Sequence, residues 1–68
     1  MRRFEFVEGA SKKFWEIALE GSGFTVRWGR IGADGQTQQK AFASAEKART
    51  EHDKLVAEKV GKGYVEVK

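Results

Sequence analysis

Lys13-Phe14-Trp15-Glu16-Ile17-Ala18-Leu19-Glu20-Gly21-Ser22-Gly23-Phe24-Thr25-Val26-Arg27-Trp28-Gly29-Arg30 is the stretch that sets the architecture. In an extended chain, Trp15, Ile17 and Leu19 fall on one side and Phe14, Glu16, Ala18 and Glu20 on the other. That period of two is the mark of a half-buried strand. Gly21-Ser22-Gly23 interrupts it as a tight loop. Alternation then resumes, with Phe24, Val26 and Trp28 on one face and Thr25 and Arg27 on the other. The stretch therefore encodes two neighbouring strands of an antiparallel sheet.

Working outward, Phe4, Phe6 and Glu8 alternate with Glu5 and Val7, which predicts a preceding strand, and Gly9-Ala10-Ser11-Lys12 reads as the turn between. On the other side Asp34-Gly35 is a hairpin turn signal. Gln36 to Ala43 is polar but returns to Phe42, as in an outer strand with one wet face. Ser44 suits an N-cap, with Glu46 in the first turn after it. Ala45, Ala48, His52, Leu55, Val56 and Val60 recur at helical spacing, while Arg49–Asp53 and Lys54–Glu58 lie four apart on the wet side. Gly61 or Gly63 ends the helix, and Tyr64 to Val67 alternates as a short last strand. The expected fold is α+β: an antiparallel sheet of four to five strands with one helix packed against it, as a single domain over residues 1–68.

A 68-residue chain holds at most one small core. Domains of this size bury only about 60% of their unfolded surface, so stability is expected to be modest. Cysteine is absent, which excludes a disulfide framework and a thiolate metal site. No apolar run is long enough to span a membrane, and the N-terminus lacks the apolar stretch of a signal peptide, so the expected setting is the cytoplasm. Net charge is +3, from 13 basic and 10 acidic residues. Between Gly21 and Ala43, Arg27, Arg30 and Lys40 face Asp34 alone, whereas Ser44 to Val60 is balanced. A basic face, if present, belongs to the sheet.

Enzymatic chemistry finds no footing. His52 lies on the apolar helix face and reads as a packing histidine. No set of residues has the spacing of a metal site, and Glu5, Glu16, Glu20 and Glu66 read as strand surface charge. Gly29-x-x-Gly32-x-x-Gly35 does not open a helix and lacks the lysine of a phosphate loop. Ser11, Ser22 and Ser44 have no base beside them. Neither catalysis, cofactor nor metal is expected.

What remains is the run Val26 to Gly32. Trp15 shares a face with Ile17 and Leu19 and is assigned to the core. Trp28 shares a face with Phe24 and Val26, yet ends its strand beside Gly29 and Arg30, where the chain leaves the sheet. An indole ring stacks on a base or sugar for about 1–3 kcal/mol. A guanidinium matches phosphate oxygens bidentately. Such contacts grip nucleic acid without reading its sequence. Arg27, Lys12, Lys13 and Lys40 would add non-specific attraction, although Arg27 faces away from Trp28 on strict alternation. Trp28 and Arg30 would equally serve as anchors for a protein partner.

Trp28-Gly29-Arg30 followed by Ile31-Gly32 resembles the defining motif of WGR domains. Phe14-Trp15-Glu16-Ile17 is similar to the strand before that motif, and Gly35-Gln36 to the turn after it. Ala48…Leu55…Lys59…Gly63-Tyr64 is similar to the family's helix and the segment after it. The resemblance covers nearly the whole chain. It implies an antiparallel sheet with one helix against it. WGR domains are best known within DNA-dependent poly(ADP-ribose) polymerases, where they bind DNA at a strand break and relay the event to a catalytic domain. The resemblance implies that Trp28 stacks on the sugar at the 5′ end and that Arg30 contacts the terminal phosphate or a neighbouring domain. It also implies that Gly29 lets the backbone come close, and that Tyr64 stands where some members approach the 5′ phosphate. This chain is expected to lack zinc fingers, a helical regulatory domain and an ADP-ribosyl transferase domain, like small stand-alone bacterial members. The expectation is a non-enzymatic module that binds DNA ends, nicks or backbone, with RNA not distinguished by these contacts. The alternative is a protein-interaction module anchored by Trp28 and Arg30.

Overall fold

The computed structural model describes residues 1–67. Five strands, β1 (Arg2–Glu8), β2 (Ser11–Glu20), β3 (Gly23–Arg30), β4 (Gln36–Ala41) and β5 (Val65–Val67), form one sheet in the order β4-β3-β2-β1-β5, with the helix α1 (Ala45–Gly61) between β4 and β5. Every pairing is antiparallel. Glu8 pairs with Ser11 and Glu20 with Gly23, so the first two connections are two-residue turns, each opening on a glycine with φ of 57°. The first turn is thus tighter than the four residues expected, and Ser11 and Lys12 already belong to β2.

The registers Phe4↔Trp15, Trp15↔Trp28 and Ile17↔Val26 stack the apolar positions of three strands on one face. Phe4, Trp15, Ile17, Phe24 and Val26 form the buried core there, and Phe42, Leu55, Val56, Tyr64 and Trp28 close around it. Burying one such side chain contributes about 1.5–3 kcal/mol. The helix lies across β2 and β3. The residues of β4 are exposed on both faces rather than on the one expected. Phe42, just after β4, is instead pinned through its backbone N–H to the Ser22 carbonyl at 2.8 Å and packs on Phe24.

The Ser44 hydroxyl caps the helix by accepting from the Lys47 N–H at 3.1 Å. The buried stripe runs Ala48, His52, Leu55, Val56 and then Lys59. This corrects two positions of the expected stripe: Ala45 is exposed, and Val60 is 54% exposed while its neighbour Lys59 turns in. The step from Leu55 to Lys59 is four residues and keeps to one side of the helix, whereas Val60 lies one residue, about 100°, further round.

The β3–β4 connection also differs from expectation. Its tight turn lies at Arg30 to Ala33, where the Ala33 N–H donates to the Arg30 carbonyl at 3.0 Å, and Asp34-Gly35 comes after it. Gly35, at φ 75°, lies against the Trp28 carbonyl and the Phe14 ring. That return covers the face of the sheet away from the helix. Phe14 is on this second face and only 1% exposed. The Arg3 and Arg27 guanidiniums lie 4.6 and 5.0 Å from its ring centre. Glu16 joins them, accepting from Arg3 at 2.8 Å and lying 3.6 Å from Arg27.

Candidate functional site

The end of β3 places Trp28 and Arg30 on the helix-facing side, because both share the parity of Phe24 and Val26. Arg30 stands opposite Lys13, and Trp28 opposite Trp15, in the β2–β3 register. The helix end supplies the other wall. Gly63, at φ 102°, donates to the Val60 carbonyl, and the Tyr64 N–H donates to the Lys59 carbonyl at 3.0 Å. This pair of bonds is a Schellman closure, which brings the residue two past the cap against the third from the helix end. Those residues are Tyr64 and Lys59. Where an apolar contact is usual, the Lys59 ammonium lies 5.4 Å from the Tyr64 ring centre and 5.6 Å from that of Trp15.

Lys13, Phe14, Trp28, Gly29, Arg30, Lys59 and Tyr64 thereby line one cavity of about 260 Å³. Among the described residues its lining holds three cations, two aromatic rings with polar tips, and no carboxylate. Trp28 is half-buried: one part of the ring packs on the core and another faces the cavity. Its indole N–H makes no hydrogen bond among the described residues. Arg30 is exposed and has no ion-pair partner among the described residues. Lys59 is held below the ordinary lysine value, first by burial and then by repulsion from Lys62 and Lys13, with Glu58 acting in the opposite sense. An anion in the cavity would relieve that repulsion.

Of the residues singled out from the sequence, Trp28, Gly29, Arg30, Lys13 and Tyr64 come together here. The other three lie elsewhere. Arg27 is on the second face, engaged with Phe14 and Glu16. Lys12 is exposed on that same face, and its carbonyl accepts from the Ile31 N–H. Lys40 pairs with Phe24, four residues along the strand from the Trp28–Gln36 pair, or about 13 Å at strand rise. Gly29 lines the cavity, but the space beside its Cα is taken from behind by Gly35 and Phe14. Phe14 and Lys59 are the lining residues that sequence reasoning misses, and of the two Lys59 carries charge. The signal for Lys59 is the four-residue step from Leu55, and assigning Val60 to the stripe masks it.

Among the described residues, no group of three or more His, Cys, Asp or Glu is placed to hold a metal ion. His52 is buried on the helix face, its Nδ1 2.9 Å from Asp53 Oδ1, outside this cavity. No helix of the described residues is long and apolar enough to cross a membrane.

Comparison with known proteins agrees with this fold. The chain is 42% identical over 66 residues to Protein YehF of Escherichia coli, covering 97% of this chain and 24% of that protein. It is 40% identical over 65 residues to protein YfeS of the same organism, covering 96% and 27%. The chain thus spans about a quarter of the length of these curated relatives. A crystal structure of a Bacteroides fragilis protein superposes with a TM-score of 0.95 at 48% identity, over 98% of this chain and 19% of that one. The WGR domain family is matched across residues 1–68, with Trp28-Gly29-Arg30 at the mouth of the cavity, and the chain belongs to that family.

Proposed function

We propose that this domain is a non-enzymatic module that binds nucleic acid, preferentially at DNA ends or nicks, through the cavity at the end of β3. Trp28 supplies the stacking surface and Arg30 the phosphate fork. Lys13 and Lys59 supply positive charge close to both, and Tyr64 completes the wall. The observation that carries this reading is the convergence of these five residues on one cavity whose lining contains no carboxylate. Family membership supports it, since WGR domains are linked to nucleic-acid binding in poly(ADP-ribose) polymerases. The contacts are of backbone and stacking type, so the binding reads structure and not sequence.

The test is fluorescence anisotropy of a labelled, 5′-phosphorylated nicked duplex against an intact hairpin duplex at two salt concentrations. The nicked duplex should bind more tightly. Trp28→Ala should reduce that affinity about 5- to 150-fold, the equivalent of the 1–3 kcal/mol of one stack. Arg30→Ala should weaken binding and flatten the salt dependence by about one phosphate. Equal weak affinity for both duplexes, lost with modest salt and indifferent to Trp28, refutes the proposal.

A further inference from the structure

The cavity beneath Trp28 does not end at Tyr64. Lys13, Lys59 and Tyr64 also line a second cavity of about 280 Å³, which continues past them to Phe6 and Lys62. Phe6 reaches it from β1, and its ring packs on that of Tyr64 with centres 5.5 Å apart. Lys62 reaches it from the helix cap, paired with Glu58 at 3.2 Å on the solvent side. The second lining contains three lysines, two aromatic rings and no carboxylate. Two aromatic platforms, Trp28 and the Phe6–Tyr64 pair, therefore flank a shared cationic strip made by Lys13 and Lys59. Grooves that hold single strands combine these same elements: positive charge along the backbone path and a ring for each successive base.

We infer that the second cavity is a binding site for the next nucleotide of a single-stranded extension, with its phosphate among Lys13, Lys59 and Lys62 and its base or sugar on Phe6 and Tyr64. This rests on the reading of the first cavity given above and extends it from the end itself to the unpaired strand leading from it. The crowding of Lys13 and Lys62 onto the half-buried Lys59 fits the same ligand, because a phosphate between the three offsets their mutual repulsion. A duplex end without unpaired nucleotides fills only the first cavity. The favoured ligand is then a nick or end with a short flap.

Anisotropy with three nicked duplexes tests this: one flush, one with a three-nucleotide flap at the nick, and one whose flap has the same phosphates but abasic sugars. Wild-type protein should bind the flapped duplex at least about five-fold more tightly than the flush one, the low end for one stacked base. The abasic flap should lose most of that gain. Phe6→Leu should abolish it, and Lys62→Gln, an exposed substitution that leaves the packing untouched, should reduce it, while both variants keep the flush-nick affinity. No gain from the flap, or a gain that survives both variants or persists with the abasic flap, overturns the second site alone, provided the flush nick still binds in a Trp28-dependent way. Loss of Trp28 dependence on the flush nick overturns the first cavity, and the extension with it.

Discussion

Gly29→Ala asks why the middle residue of the Trp28–Arg30 run carries no side chain. A Cβ at Gly29 would come 2.8 Å from Gly35 Cα and 3.5 Å from Phe14 Cε1. The nearer contact is backbone and has no rotamer to change. Gly35 is exposed but lies in the left-handed region over the Trp28 carbonyl and the Phe14 ring, so it can give only outward. Relief requires lifting the β3–β4 connection away from Phe14, a ring otherwise 1% exposed. Overpacking of this kind costs about 1–3 kcal/mol. Alanine recovers about 0.5–1 kcal/mol over glycine within a strand, which leaves a net loss of roughly 0–2.5 kcal/mol, about 1 at the middle of both ranges. A domain this small has about 3–5 kcal/mol in all, so the change is a sizeable fraction. With a urea slope of about 1 kcal/mol/M, the unfolding midpoint should fall by about 1 M. Gly61→Ala is the matched control, because nothing lies within 4 Å of its added Cβ and its backbone is helical, so its midpoint should hold or rise. An unchanged midpoint for Gly29→Ala with weakened DNA binding would refute the packing account and return the glycine to a role in ligand approach.

Four further outcomes are expected. Because Lys59 is held low in the folded protein by burial and by Lys62 and Lys13, the unfolded chain binds more protons between that lowered value and the ordinary one. Stability in urea should therefore rise with pH across that window, and Lys59→Met should remove the rise. A bound anion has the opposite effect on Lys59, so DNA affinity should fall as pH rises through its value in the complex, and Lys59→Arg should abolish that fall. Glu16→Gln leaves Arg3 and Arg27 without their shared carboxylate beside Phe14 and should cost about 1–3 kcal/mol, read as a lower thermal midpoint; an unaltered midpoint means the cluster is ornamental. Lys13→Gln should weaken nucleic-acid binding more than Lys40→Gln, measured by the same anisotropy, since only Lys13 lies in the cavity.

The sheet is legible in the sequence because alternation is a local property. The strand faces of Phe4, Trp15, Ile17, Phe24 and Val26 come from parity alone, and so does the outward turn of Arg27. The Ser44 cap is equally local. The features that escape are made by distant segments meeting. Phe14 falls on the wet face by parity, and its burial depends on Arg3, Arg27 and a loop that returns at Gly35. The candidate site is legible in part: Trp28 and Arg30 are neighbours in sequence, and Tyr64 comes through the family resemblance. Lys59 and Phe6 reach the groove from a helix end and a first strand, and no spacing rule links them to Trp28. Lys40 lies away from the cavity for the converse reason, because charge counted along the chain carries no information about which end of a strand it occupies.

The pairing of β5 with β1 has a consequence for how such a domain can be carried. Arg3 pairs with Val67, so the two ends of the described chain emerge side by side at one end of the sheet. Phe6 and Tyr64, on the same two paths, lie about 10 Å away at the opposite end, where the groove opens. A polypeptide joined at either point therefore starts about 10 Å along the strands from the groove. The unit has the geometry of a plug-in, attachable at either end or within a host loop, with the groove set apart from the points of attachment. In the relatives from Escherichia coli and Bacteroides fragilis the matched region is between 19% and 27% of the whole, so there the unit is carried alongside a much larger length of chain.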